Sequence, residues 1–599
     1  MNKERLARYL PFLNGARGYD RDSASRDGLA AIILTLLLIP QSLAYAMLAG
    51  LPPVVGLYAS IMPPLAYALL GTSRTLAVGP VAVVALLTAS ALTPLFTPGT
   101  AEYAQAALLL ALLSGGVMLL MSLLRLGFLI SFLSHPVISG FISASAILIT
   151  LSQLRHILGI QTRGDTALEL LHSTLTALPD TSLPTLSIGG LSLLFLHLCR
   201  RRGKLWLSVV GFTPSLASAL PKAAPLLALL VSALLVTLLG LEQQGVAVVG
   251  EVPRELPSLS LPPLELELIV KLLPLAVLIS LVGFIGSVSV AQTFAARRRE
   301  RIAPNQELIA LGGANILTAL SSGMPVSGGF SRSVVSYEAG AQTPMAGALS
   351  ALGMALTVLL FAPLFESLPR AVLAAIIIVA VLSLVDLGAL KRTWQYAWQD
   401  GAAMLATMLG VLFINIETGL LMGLGLSLLL FLWRTSHPHI AVVGQLPGSQ
   451  HFRNVDRFHV IESPSVLSVR VDESLYFPNA RYLEDRIAQL VADHPGIRHL
   501  VLMCSSVNLI DASALESLGA ISERLHSAGI QLHLSEVKGP VMDRLRRARF
   551  LDQFGGRVFI SHYEALLMLD PNTTRGTLNS LAAHCPIQSD LKPAKEKSE

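Results

Sequence analysis

The chain has 599 residues, of which 53% are hydrophobic and only 14% charged, against roughly 25% charged in ordinary soluble domains. A single soluble domain is excluded. Charge is also unevenly placed: 35 of the 43 basic and 38 acidic residues fall in 435–599, so an apolar body of 434 residues precedes a soluble tail.

A net charge of +5 does not make a nucleic-acid binder, because the basic residues form short clusters between long apolar runs rather than one basic face. That spacing is the pattern of inner loops in a membrane protein, so the expected partner is the lipid bilayer and not nucleic acid. Cys199, Cys504 and Cys585 lie far apart and form no metal-ligand or disulfide framework; no metal, cofactor or enzymatic chemistry is expected. Residues 1–27 are polar, without the shape of a cleavable leader.

A membrane helix needs about 20 mainly apolar residues, fewer if broken. In chain order the apolar segments are 28–48, 53–70, 77–92, 103–124, 128–150, 184–199, 223–240, 266–294, 306–320, 329–341, 344–365, 369–390, 400–416 and 418–433, giving 14 expected spans. With the amino terminus inside, the inner loops hold Arg74, Arg125, Arg200 to Arg202, Lys204, Lys222, Arg297 to Arg299, Arg301, Lys391, Arg392 and Arg434. The outer loops hold only Arg155, Arg163, Arg254 and Arg370. The asymmetry predicts an even count with both termini cytoplasmic.

The third and tenth segments open unusually, as Thr75-Leu76-Ala77-Val78-Gly79-Pro80-Val81 and as Gly323 to Arg332 (GMPVSGGFSR). Each is third in its half of seven, the placement expected of inverted repeats whose broken helices meet at the membrane midplane. A half-helix starting inside the bilayer presents unpaired N–H groups and partial positive charge, and two facing starts make an anion site. Pro80 suits a first helical turn, where its missing N–H costs nothing. Gly79, Gly328 and Gly329 let backbone approach a ligand closely. Arg332, inside an apolar segment, is expected to face a cavity or partner.

Ile39 to Ala46 (IPQSLAYA), Pro52 to Tyr58 (PPVVGLY), Gly71-Thr72-Ser73-Arg74, Ser134 to Phe141 (SHPVISGF) and Pro304 to Gly312 (PNQELIALG) resemble the SulP, or solute-carrier-26, anion transporters, from about residue 10 to about 570. The resemblance implies an α-helical polytopic membrane protein, seven plus seven spans in an inverted repeat. UraA-like core (spans 1–4 and 8–11) and gate (spans 5–7 and 12–14) domains would be paired in a homodimer. It also implies transport by alternating access across the inner or plasma membrane, with sulfate the leading substrate and bicarbonate, chloride or a dicarboxylate behind it. A membrane sensor or scaffold, and an anion channel or voltage-driven motor, are the other readings.

Carried over by motif, Gln41 donates hydrogen bonds to the anion, Tyr45 and Phe330 wall the pocket, Ser331 donates one hydrogen bond and Arg332 adds positive potential. Val78, Gly79 and Val81 complete the substrate-binding set. Span eight departs from the family: the sodium-coupled bicarbonate branch has an Asp and a Thr where this chain has Gly286 and Val290. The coupling ion, H+ or Na+, stays open, and Asp386, Asp400 and Glu417 near span ends are read as structural.

After a linker at 435–457, residues 458–570 alternate strand-like runs (465–471, 499–504, 531–537) with helical ones (479–492, 512–528, 540–554), a small α/β domain. The order resembles the STAS domain, with a cytoplasmic protein partner implied. Asp511 caps a helix, and Ser513 stands where free-standing STAS proteins are phosphorylated. Residues 571–599 are expected to be disordered, and the Asn572-Thr573-Thr574 pattern there is inert on a cytoplasmic tail.

Overall fold

The computed structural model describes residues 11–12, 19–128, 134–164, 166–209, 223–250 and 252–580, apart from the side chains of 204–209 and 417. It divides into two compact units at Ser427/Leu428, within the last of the helices given next. The first is helical: α1 Arg21–Leu48, α2 Pro53–Tyr58, α3 Met62–Leu70, α4 Ala82–Leu92, α5 Ala101–Leu123, α6 His135–Leu158, α7 Ala167–Thr176, α8 Leu183–Val209, α9 Ala224–Leu239, α10 Leu266–Arg298, α11 Pro304–Leu320, α12 Phe330–Glu338, α13 Met345–Glu366, α14 Arg370–Leu382, α15 Leu387–Tyr396, α16 Trp398–Phe413 and α17 Ile416–Ser436. Every expected span overlaps a helix in this series. By length and composition, 9 helical stretches among the described residues, with Pro53–Leu70 and Arg370–Tyr396 each counted as one, are long and apolar enough to cross a membrane, which makes this a multi-pass membrane protein.

Breaks within the spans follow local chemistry. The segment 53–70 is split because Pro63 and Pro64 cannot donate into a preceding turn and so start a new helix at Met62. The segment expected at 369–390 divides after Leu382, and Asp386 caps α15 by accepting the Ala389 N–H at 2.9 Å. The third span begins at Ala82, not at 77. Pro80 therefore precedes the N-cap Val81 instead of sitting in the first turn, because residues 78–79 are drawn into a strand pairing described below.

Two buried acids of this unit went unremarked in the sequence. Glu307, at the start of α11, accepts from the Tyr67 hydroxyl (2.8 Å), the Thr72 amide (2.8 Å) and the Thr72 hydroxyl (2.5 Å). Asp27, in the second turn of α1, accepts the amides of Gln342 (2.6 Å) and Thr343 (3.2 Å) and the Thr343 hydroxyl (2.5 Å). Each carboxyl group ties separated segments together, its buried oxygens answered by donors from elsewhere in the chain.

The second unit carries β3 Ile440–Gln445, β4 Phe452–Asn454, β5 Val466–Val471, α18 Phe477–Asp493, β6 His499–Met503, α19 Ala512–Ser527, β7 Gln531–Ser535, α20 Gly539–Arg547, α21 Phe550–Gln553, β8 Val558–Phe559, α22 His562–Leu569 and α23 Pro571–Asn579. Strand order is β4-β3-β5-β6-β7-β8, with β3 antiparallel to both neighbours and β5 to β8 parallel. Alternation does the sorting. Leu467, Val469, Leu500, Leu502, Leu532 and Leu534 pack with Leu483, Ile487, Leu518 and Ile521 of the helices, whereas Val466 and Val501 turn to the other face with Val443, Phe559 and Leu566.

Two expectations are corrected here. The stretch 435–457 is not a linker, since β3 and β4 lie within it and complete the sheet. Residues 571–579 are not disordered, because Asp570 caps α23 and Thr574 and Thr577 are buried beneath it; Asn572 thus sits in a helix. The remainder of the expected tail, 581–599, lies outside the described residues, as do Cys585 and Lys222.

Candidate functional site

The two unusual segments meet. Val78–Gly79 forms β1 and Ser327–Gly328 forms β2, paired antiparallel with Val78 opposite Gly328 and Gly79 opposite Ser327. The Gly329 amide donates to the Ala77 carbonyl (3.0 Å), extending the ladder. Directly after these strands the chain turns into α4 and α12, neither of which has a side-chain cap. The amides of Ala82, Val83 and Val84, and of Phe330, Ser331 and Arg332, have no hydrogen-bond partner among the described residues; the first intrahelical bonds are Ala85 to Val81 (2.8 Å) and Ser333 to Gly329 (3.0 Å). Two helix starts with free donors flank one antiparallel pair, each carrying about half a positive charge.

Arg332 is packed into this junction with 1% of its surface exposed. Its Nη1 donates to the Pro80 carbonyl at 2.5 Å. Its Nε and Nη2 are buried with no partner. An arginine enclosed with two donors unanswered is costly unless an anion answers them. Glycine is required around it. Gly79 has φ +157°, a conformation side chains rarely adopt, and a Cβ on Gly329 would stand 2.9 Å from Nη2 of Arg332.

The remaining expected residues divide. Tyr45 is 8% exposed, and Gln41, one turn earlier on the same face of α1, is buried with no hydrogen bond among the described residues. Val78 is buried and Val81 half-buried. Phe330 and Ser331 are exposed at the start of α12, and the Phe330 ring lies 6.3 Å from that of Phe294. On the second unit, Asp511 caps α19 through the Ala514 amide (2.9 Å) and also accepts the Phe477 amide (2.8 Å), with Ser513 exposed beside it. Asp386 is paired with Arg392 at 2.7 Å. No cluster of metal-binding side chains occurs among the described residues.

Sequence reasoning missed the residues that hold the junction. Ser287 accepts the Gly328 amide (2.8 Å), donates to the Gly283 carbonyl (2.6 Å) and meets Ser327 Oγ at 2.8 Å. Ser333 accepts the Ala77 amide (3.0 Å) and donates to Gly329 (2.7 Å). Asn315 brackets Val326, accepting its amide at 2.9 Å and donating to its carbonyl at 3.0 Å. The available signal was polar side chains inside apolar segments, which are seldom idle in a membrane.

A family model described as the sulfate permease family matches residues 25–407, and a STAS domain model matches 457–565. The chain belongs to the sulfate permease family. It is a transporter rather than an enzyme. Among curated relatives, the chloroplastic sulfate transporter 4.1 of Arabidopsis thaliana is 35% identical over 545 residues, covering 89% of this chain and 78% of its own. A probable sulfate transporter of Mycobacterium tuberculosis is 34% identical over 553 residues, covering 92% and 96%. Among solved structures, the murine solute carrier 26 family member A9 anion transporter in the inward-facing state aligns with a TM-score of 0.86 at 22% identity, covering 96% of both chains. The transmembrane domain of a cyanobacterial bicarbonate transporter aligns at 0.57 and 20% identity, covering 68% of this chain and 98% of that one. The first of these structures shares the fold over both the α-helical membrane part and the STAS domain, and the second shares that of the membrane part alone.

Proposed function

We propose that this permease is a secondary transporter of small inorganic anions, with sulfate first and bicarbonate or chloride behind it. The site is formed by Gln41, Tyr45, Val78, Gly79, Val81, Phe330, Ser331 and Arg332. The observation that carries the reading is the meeting of two uncapped helix starts with the unanswered Nε and Nη2 of Arg332. Backbone donors suit an oxyanion because they offer several hydrogen bonds without a mobile cation that would hold it too tightly. Each helix start contributes up to about 2 kcal/mol where it is partly buried.

No bond is made or broken in the substrate. Transport consists of exposing the same site alternately to the two sides, in the plasma membrane, with both termini cytoplasmic by the distribution of basic loops, in a homodimer, and with H+ or Na+ as the coupling ion. Ser513, exposed at the start of α19, is proposed as a phosphorylation site through which a cytoplasmic partner regulates the STAS domain; added negative charge at a helix start is tolerated there. The deciding experiment is uptake of radiolabelled sulfate into proteoliposomes in the presence of unlabelled sulfate, bicarbonate, chloride and oxalate. Saturable uptake competed by sulfate is expected, and uptake that none of these anions competes with would sink the reading.

A further inference from the structure

The helix α10 has 33 residues, about 50 Å at 1.5 Å per residue, well beyond the roughly 30 Å of hydrocarbon it crosses. Its charged last turn, with Arg297 and Arg298, can stand outside the hydrocarbon. Neither has an acidic partner among the described residues. Instead, the Arg297 guanidinium stands 5.8 Å over the Phe294 ring and 6.0 Å over Tyr337, and that of Arg298 stands 5.1 Å over Tyr337. Arg298 is further fixed by donating to the Ala341 carbonyl at 2.7 Å, whereas Arg297 is exposed and held by ring faces alone.

Those rings lead somewhere. Phe294 stacks on Tyr337 at 5.2 Å and meets Phe330 at 6.3 Å, and Phe330 is the first residue of α12, whose free amides form the candidate site. Arg297 thus stands one ring from the start of that half-helix, on the side where the basic loops collect. Holding it by aromatic faces leaves its charge uncancelled, as a carboxylate partner would not. An exposed cation so placed beside the half-helix start raises the local concentration of anions there.

We propose that Arg297, seated on Phe294 and Tyr337, is a positioning residue that draws oxyanions from the cytoplasmic side to the half-helix site without belonging to it. The proposal rests on the anion-transport reading above. It predicts a kinetic asymmetry that a structural arginine would not produce. In vesicles of defined orientation, R297Q should raise the sulfate KM from the inner face about three- to tenfold at low ionic strength. Its KM from the outer face and its kcat should stay as in wild type, and the inner difference should shrink as salt screens it. R297K, which keeps the charge, should restore most of the inner-face KM. Equal KM values for R297Q and wild type on the inner face at low salt would overturn the proposal, as would a loss equal on both faces and independent of salt. Failure of the transport reading would show in the wild-type arm alone, as no uptake of any inorganic anion, and would overturn both.

Discussion

At the scale of single residues, the site is a matter of which groups are left unpaired. Arg332 is enclosed with two of its donors unanswered, so anything that shifts its head should alter anion affinity. Gly329→Ala is the direct probe: the added methyl would meet Nη2 at 2.9 Å and Nε at 3.0 Å, and a buried guanidinium has little room to retreat. We expect a sulfate KM raised about tenfold, as a loss of roughly 1.4 kcal/mol in binding would give, with a thermal midpoint lowered by the crowding; an unchanged KM would place the anion elsewhere. Ser287→Ala acts differently, because it strips the Gly328 amide of its acceptor. The cost should be about 1–3 kcal/mol of stability for a buried donor left bare, read as a lower midpoint of thermal unfolding. Gly79 and Arg332 were legible in the sequence because the two broken starts hold matching positions in the two halves and an arginine inside a membrane segment is rare. Ser287 and Ser333 were not, since a serine in a membrane helix usually satisfies itself on its own preceding turn.

At the scale of elements, the site depends on two strands of two residues each, far too short to persist alone. They persist because side chains complete what the ladder lacks: Ser333 on the Ala77 amide and Asn315 on both polar groups of Val326. Asn315→Leu should therefore be worse than loss of a single bond, leaving an amide and a carbonyl unanswered at about 1–3 kcal/mol each. The expected outcome is a marked fall in thermal midpoint with transport lost, and a variant of normal stability would show that the pairing needs no bracket. Helices were readable from hydropathy because a membrane forces every backbone group to pair within its own segment. Their ends were less readable. Asp386 caps a second helix within what hydropathy merges into one span, and Ile440–Gln445 becomes a strand only because Val466–Val471 lies ready to pair with it. A run of six residues does not reveal its partner, which is why that stretch reads as a linker in sequence.

At the scale of the whole molecule, the two units answer to different solvents, and pH separates them. In the second unit, burial drives the His562 imidazole down to about 3 and, with His499 and Arg557 nearby adding to the effect of burial, drives His533 down to about 4. His562 bonds Ser535 at 2.8 Å, and His533 accepts the Arg557 amide at 3.1 Å on Nδ1. Both are thus neutral when folded. The unfolded chain takes up protons near 6.5 and the folded one does not, so stability falls as pH falls. Below the unfolded value the buried His562 withdraws up to about 1.4 kcal/mol per pH unit until its folded value is reached, and His533 adds to the same trend. In the full-length protein, the unfolding transition of the carboxy-terminal unit should move to lower temperature between pH 6.5 and about 4, and a transition flat over that window would contradict it. The amino-acid sequence by itself determined the membrane class, the apolar segments, the two broken starts and the STAS alternation, because these follow from periodicity, composition and motifs along the chain. Only the tertiary structure decided that the two broken starts pair residue against residue, that Arg332 is buried with unanswered donors, and which hydroxyls and amide hold it there. The strand pairing, the Ser333–Ala77 bond and the Arg332–Pro80 bond join positions some 250 residues apart, and nothing local in either segment specifies the other.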